Sequence, residues 1–274
     1  MKRKVFHMHI SALFIYPIKS CRGVSVSTAH VQDIGLEHDR RYMVVGPDNV
    51  FLTQRDAPSM ATIDVVQVAS GWSVHTQTNG ALTWEPQLHG PRFAAHIWKD
   101  QVEVVDQGDN VAEWFSDALG RPCRLVGFAP QVRRIVDQTY AIAPTDAVSF
   151  ADGYASLIVT EESLTELNTR TSEAVPMARF RPNIVVRGAP DAWVEDSWRH
   201  LQVGAVSMTA VKKCARCVMT TTDQQTGQRH AEPLRTLSTY RHIGHGVIFG
   251  QNLIHRTTGL IRVGDAVTVT TTNE

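Results

Sequence analysis

Apolar positions along this chain recur mostly at every second residue, the period of a half-buried strand. Ile10 to Tyr16 is an apolar run closed by Pro17, and GVSVSTAHV then alternates Val24, Val26 and Thr28 on one face. RYMVV reaches the turn residues Gly46, Pro47, Asp48 and Asn49 before VFLTQ resumes, which predicts a hairpin. A second hairpin is predicted where WSVHTQT and ALTWEP flank Asn79-Gly80, a dipeptide suited to the positive φ of a tight turn. Helical spacing stands out twice. Val111, Trp114, Phe115, Ala118 and Leu119 share a face, with Asp109 or Asn110 able to cap the start and Gly120 the end. The second helix is predicted to begin at a Thr160 cap, with Glu161 and Glu162 at the positive end of its dipole and Leu164 and Leu167 turned inward. Strand patterning returns in NIVVRG, HLQVGAVSMTAV, CVMTTTD and LIRVGDAVTVT.

Strands dominate, helices are few, and no regular βαβ alternation, internal repeat or low-complexity tract occurs. That pattern predicts a strand-dominated, barrel-containing α+β protein rather than a doubly wound sheet. The least periodic stretch, around Gly127 to Ala147, is the expected seam, which divides the chain into residues 1–127 and 128–274.

The length of 274 residues suits one large domain or two modest ones, and 43% apolar with 20% charged residues is the balance of an ordinary globular protein. Lys plus Arg and Asp plus Glu both count 27, giving zero formal net charge. A general nucleic-acid binder needs a basic surplus that this chain lacks, although a local basic pocket stays open. The basic start MKRK leads into apolar residues interrupted by His7 and His9 and closed by Pro17 and Lys19. With no small-residue cleavage site and no run of about 20 apolar residues, the expectation is the first strand of a cytoplasmic protein, with no membrane partner. Cysteines occur only at 21, 123, 214 and 217, too sparse for a secreted disulfide framework and better suited to a reducing compartment.

The chemically loudest segment is VKKCARCVMTTTDQQTG. As half of a zinc site, Cys214 and Cys217 need two more ligands; no second pair exists, and His242 and His245 are weakly patterned for the task. As a redox dithiol, the pair should open a helix, yet the residues after it favour a strand. Two small buried hydrophobes are the plain alternative. The remaining reading is one thiolate bound to a soft metal, its charge favoured by Lys212, Lys213 and Arg216. Asp223 in TTTDQQTG reads as a turn former rather than a general acid.

Several separated segments together resemble the MOSC family. YPIKSCRGVSVS and GLEHDRRYMVV resemble its N-terminal region. ASLIVTEESLTELNTR, FRPNIVVRG, WVEDSW, KKCARCVMTTTDQQTGQRHAEPLRTLSTYR, FGQNLI and GLIRVGDAV resemble the MOSC domain in order. The resemblance implies a MOSC β-barrel domain beside a β-rich N-terminal region, with a molybdenum cofactor (Mo-molybdopterin) in the cleft between them. It places the protein ligand to molybdenum, and so the catalytic residue, at Cys217, and makes Cys214 a non-ligand. It places the cofactor's phosphate and pterin among Lys19, Ser20, Arg40, Arg181, Asn183 and Arg216, with Arg41, one residue on, the alternative to Arg40. Taken singly, any of these is more simply a solvated charge or a turn residue. Asp152 to Tyr154 stays outside the expected site because Ala155 stands where many relatives have proline.

The implied activity is a molybdenum-dependent reduction of N-hydroxylated small molecules: hydroxylaminopurines, amidoximes or hydroxylamines. A cofactor carrier or sulfuration module is the alternative, because MOSC domains also end cofactor sulfurases; a thiol–disulfide protein is a third. Four scattered cysteines cannot supply a plant-type iron–sulfur motif, so electrons are expected from a separate, ferredoxin-like or reductase, donor protein.

Overall fold

The computed structural model describes residues 7–244 and 246–272. The first half runs through β1 (His9–Ile15), β2 (Val24–Val26), β3 (Thr28–Gln32), β4 (Gly35–Leu36) and β5 (Tyr42–Val45). It continues with β6 (Asp64–Val68), β7 (Gly71–Thr76), β8 (Gly80–Trp84), β9 (Arg92–Ile97), β10 (Asp100–Asp106), helix α1 (Asp109–Leu119) and β11 (Arg124–Phe128). The second half opens with β12 (Arg134–Ile135), β13 (Ala147–Val148), β14 (Ser156–Thr160), α2 (Glu161–Asn168) and β15 (Ile184–Arg187). It closes with β16 (Trp198–Val203), β17 (Val206–Arg216), α3 (Leu234–Ser238), β18 (His242–Ile243), β19 (Gly246–His255), β20 (Gly259–Arg262) and β21 (Val267–Thr272).

The strand-dominated α+β architecture expected from the pattern is the one observed. Its largest sheet has the order β2-β1-β15-β14-β19-β17-β16-β21, with β18 hydrogen-bonded to β19. Two strands of the first half therefore complete sheets of the second: β1 pairs with β15, Leu13 opposite Ile184, and β3 pairs with β20, Val31 opposite Gly259. β2 edges the first of these sheets beside β1 and β4 the second beside β3, while the remaining first-half strands form the sheet β5-β11-β10-β9 and the meander β6-β7-β8. At the centre, every residue of β14 is buried and the strand runs parallel to β15, with α2 between them in sequence. A short βαβ unit thus sits inside an otherwise antiparallel protein, and its central strand is buried on both faces as such units require.

Local chemistry explains most element boundaries. Thr160 caps α2, its Oγ1 accepting from the Ser163 amide at 3.2 Å. Gly120 ends α1 in the left-handed region at φ 64°, which a residue with a Cβ adopts only under strain. The start of α1 corrects the expectation: the cap residue is Gly108, and Asp106 reaches forward to accept from its amide at 2.7 Å. The CVMTTTD segment is also not a strand, because Val218–Thr221 forms a single 3-10 turn directly after Cys217. VFLTQ returns along β5 only through an isolated bridge between Val45 and Phe51, then breaks into a turn. Residues 1–6 and His245 lie outside the described residues. Among those described, no helix is long and apolar enough to cross a membrane.

The long strand β17 carries the feature that matters most for chemistry. Its register against β19 shifts twice, between Ala210 and Lys212 and between Lys213 and Ala215. In a regular strand successive side chains alternate between faces, whereas an extra residue in one strand re-aims its neighbours. The two irregularities let Lys212 through Cys217 all border the same cavity. Across the sheet, Gly250 in β19 sits at φ 79°, where an added Cβ would lie 2.6 Å from Val159 Cγ1 and 2.8 Å from the Ile158 carbonyl oxygen. Only glycine lets β19 approach β14 this closely.

Candidate functional site

A cavity of about 340 Å³ opens where the two halves meet, and all seven residues singled out in the sequence line it: Lys19, Ser20, Arg40, Arg181, Asn183, Arg216 and Cys217. Lys19 and Ser20 follow β1, Arg40 precedes β5, Arg181 and Asn183 lead into β15, and Arg216 ends β17 with Cys217 directly after it. Arg41 is absent from that lining and instead donates to Gln32 Oε1, so Arg40 is the member of the pair that faces inward. Seven Lys and Arg side chains border the cavity against one carboxylate, Asp152. A chain of zero net charge has gathered a strongly cationic interior pocket.

Three lining residues hold left-handed backbone without being glycine: Ser20 at φ 70°, Arg40 at φ 48° and Arg181 at φ 53°. Such conformations cost on the order of 1–3 kcal/mol each and survive only where the surroundings impose them. Here the Arg40 amide donates to the Tyr16 carbonyl at 2.7 Å, and the Lys19 amide to that of Tyr42 at 2.8 Å. Phe180, just before Arg181, is stacked on Phe249 with ring centroids 3.7 Å apart. The turns are clamped from both sides, and their side chains project into the cavity.

Tyr16 organises the two inner guanidinium groups. Arg40 lies 4.3 Å and Arg181 4.2 Å from its ring centroid, a distance at which a cation is attracted to the ring face. Arg40 Nη1 donates to Asp39 Oδ2 at 2.7 Å and to Asn183 Oδ1 at 3.0 Å. Asn183 Oδ1 also accepts from the Leu157 amide, and its Nδ2 donates to the Phe14 carbonyl at 3.1 Å. Its amide is committed to protein partners, so Asn183 borders the cavity as the group that holds Arg40. Arg181 donates through Nη1 to the Cys21 carbonyl at 2.7 Å. Burial, opposed in part by the neighbouring Tyr16, and the nearby Arg40 charge push the Arg181 guanidinium down to about 10. Lys19 is likewise pushed down by burial, while Asp152, to which its Nζ donates, favours its charge. Arg40 is compensated by Asp39 and Lys19 by Asp152, whereas Arg181 donates only to a carbonyl, and an anion in the cavity would relieve its charge.

At the other end of the cavity each cysteine of the pair has its own arginine. Arg216 Nη1 donates to Cys214 Sγ at 2.8 Å and its Nη2 to the Phe180 carbonyl at 2.6 Å. Cys217 Sγ instead accepts from Arg55 Nη2 at 3.0 Å. Sequence reasoning missed Arg55, which sits in a turn with no periodic signal. It also set aside Asp152 to Tyr154, which the structure puts on the cavity wall, and did not single out Arg179. Asp223 forms the expected turn, its Oδ1 accepting from the Gln225 and Thr226 amides, and its Oδ2 accepts from Arg179.

The donor set fits a phosphate-bearing group joined to a soft metal. Among the described residues, the buried atoms without partners include five donors near the site: Ser20 Oγ, Arg55 Nη1, Arg216 Nε, and Nε and Nη1 of Arg179. All can donate, and buried donors of this kind call for an acceptor. Among the described residues no group of three or more His, Cys, Asp or Glu side chains is placed to hold a metal ion unaided. A single thiol such as Cys217 suits a soft metal that arrives with further ligands of its own.

Residues 7–122 match the MOSC N-terminal beta barrel domain and residues 145–268 the MOSC domain. The chain is 33% identical to mitochondrial amidoxime-reducing component 1 of Homo sapiens, over 94% of its own length and 82% of that protein. It is 34% identical to the Mus musculus protein of that name, over 94% and 81% respectively. It is also 30% identical to molybdenum cofactor sulfurase of Oryza sativa subsp. japonica, over 91% of this chain and 33% of that longer protein. Among solved structures, the YUAD protein from Bacillus subtilis matches over 96% of this chain and 97% of its own, with 10% identity and a TM-score of 0.40.

Proposed function

Because the chain belongs to the MOSC family, we propose that it is a molybdenum-cofactor-dependent oxidoreductase that reduces N-hydroxylated small molecules to amines or amidines. The observation that carries this reading is the convergence of Cys217 with Lys19, Arg40 and Arg181 on one cationic cavity, drawn from both halves of a chain similar to amidoxime-reducing components over nearly its whole length. Lys19, Arg40 and Arg181 would hold the phosphate and pterin by charge-assisted hydrogen bonds, with Ser20 and the inner edge of Arg216 adding donors. Cys217 would provide the protein's sulfur ligand. When bound, the molybdenum centre supplies the electron pair and the oxygen acceptor that cleavage of an N–O bond requires. An N-hydroxylated substrate takes up two electrons and two protons, loses its N–O bond and leaves as amine or amidine plus water. Electrons would come from a separate donor protein.

Protein made in a host that synthesises the cofactor should contain molybdenum and pterin near stoichiometrically and convert an amidoxime to the amidine when given a reductant. Cys217→Ser should abolish conversion, since an oxygen ligand is a harder and poorer substitute for thiolate. Cys214→Ser should keep substantial activity. Equal and complete loss in both folded variants would point to a dithiol mechanism, and absence of molybdenum despite adequate molybdate would sink the proposal. The similarity to the sulfurase supports a second reading, a cofactor carrier, which would bind the same group without turning over the substrate.

A further inference from the structure

Arg55 comes from the first half of the chain, yet it touches the sulfur of Cys217, the residue directly after β17. Its Nη2 donates to Cys217 Sγ at 3.0 Å. Two supports hold it there. The turn that carries it is closed by Asp56, whose Oδ2 accepts from the Thr53 amide at 3.0 Å, and by Thr53 Oγ1, which accepts from the Arg55 amide at 3.0 Å. Arg229 Nη2 donates to the Arg55 carbonyl at 2.8 Å and so ties the turn to the segment after Cys217. The guanidinium itself lies 4.9 Å from the ring of Trp98, which stands between β9 and β10 at a left-handed φ of 55°. Trp98 is 48% exposed, packs edge-on against Phe51 at 5.0 Å, and directs its Nε1 toward Asp152 Oδ1 at 3.4 Å. A large aromatic side chain on strained backbone, half open to water, is accounted for by what it braces: the cation on the sulfur and the carboxylate paired with Lys19.

We propose that Arg55, braced by Trp98, is a positioning residue that sets how strongly the Cys217 sulfur donates to the metal. The inference rests on Cys217 being the metal ligand in the function proposed above. A hydrogen bond from a permanently charged donor draws electron density away from sulfur, weakens its donation and raises the reduction potential of the metal it binds. Arg55 thereby favours the reduced metal, the state that N–O cleavage consumes. The arrangement also couples the two halves of the chain, because the ligand lies in one and the group that tunes it in the other.

The test uses cofactor-loaded protein and reads molybdenum content, the metal's midpoint potential by EPR-monitored titration, and the sulfur-to-metal absorption band of the oxidised state. Arg55→Gln should stay loaded, shift the potential to more negative values and move the band to longer wavelength. Arg55→Lys, which keeps a cationic donor, should recover most of both shifts, and Trp98→Leu should give a smaller shift of the same sign. An unchanged potential and band in loaded Arg55→Gln would overturn the proposal; should that variant not load, an unchanged potential and band in loaded Trp98→Leu would overturn it equally. The function proposed above fails separately, if wild-type protein holds no molybdenum or if loaded Cys217→Ser has the same absorption spectrum as wild type. Either result also removes the basis for a role of Arg55.

Discussion

Lys19 and Arg181 carry their charges where water scarcely reaches, with side chains only a few per cent exposed. Each costs the empty protein something and should return it when an anion binds. A charge-assisted hydrogen bond is worth roughly 1.5–3 kcal/mol, so Lys19→Ala or Arg181→Ala should weaken cofactor binding about ten- to hundred-fold. Metal content measured under limiting cofactor should fall, its salt dependence should weaken, and thermal unfolding of the empty protein should barely move. Normal occupancy in both variants would show that the cavity is not the phosphate site. Ser20 tests the same economy through the backbone. Its left-handed φ of 70° and its partnerless buried hydroxyl are both relieved by Ser20→Gly, which should stabilise the empty fold by about 1 kcal/mol while lowering cofactor occupancy. A variant that gains no stability would place the strain elsewhere. Residues such as Lys19, Arg40 and Cys217 were legible in the sequence because they stand in dense local patterns, YPIKS, HDRRY and C-x-R-C. Arg55 was not, because its partner is 162 positions away and nothing in LTQRDAP marks a residue that acts through such a contact.

At the scale of elements, the start of α1 shows how a boundary is set from outside the helix. Asp106, at the end of β10, accepts from the Gly108 amide and takes a two-pronged hydrogen bond from Arg124 in β11, Nε at 2.6 Å and Nη2 at 2.9 Å. Burial alone would push its carboxyl up, but the Arg124 hydrogen bonds and the Gly108 amide outweigh it and hold the group below the usual carboxylate range. A carboxyl depressed in the folded state contributes stability that is fully present above its unfolded value near pH 4 and lost as pH falls through the folded value. Arg124 is 39% exposed, so solvent screening limits the contribution to about 1 kcal/mol. Asp106→Asn should therefore lower the urea midpoint at pH 7 and flatten its decline below about pH 4; parallel curves for wild type and variant would count against this account. Periodicity could anticipate α1 because its inward face repeats helically, yet it placed the cap one or two residues late, since Asp106 acts from a strand. It misread CVMTTTD because β-branched residues favour strands only when a neighbouring strand is there to pair, and after Arg216 the register with β19 has ended.

The whole molecule is held together by pairings that cross the midpoint of the chain. β1 and β3 have their partners in β15 and β20, so residues 7–127 made alone would expose unpaired edges and lack one wall of the cavity. Separately expressed pieces 7–127 and 128–272 should each fail to give dispersed amide spectra, whereas co-expression should restore a folded complex. A well-dispersed spectrum from the first piece alone would show that its own sheets suffice. The full chain should unfold in one cooperative transition by circular dichroism and tryptophan fluorescence alike. Strand content was readable from alternation, but these long-range partners were not, because alternation fixes which face is buried without naming the strand beside it.

The same crossing pairs impose an order in time. Lys19 leaves the ribosome long before Cys217, and at ordinary synthesis rates of 5–20 residues per second the interval is roughly 10–40 s. During it β1 and β3 wait without the strands that will cover them, and contacts so distant in sequence are the slowest to form. The pocket therefore has no existence as a nascent structure. It closes only when β17, β19 and β20 have emerged, so whatever fills it must be delivered to a finished chain.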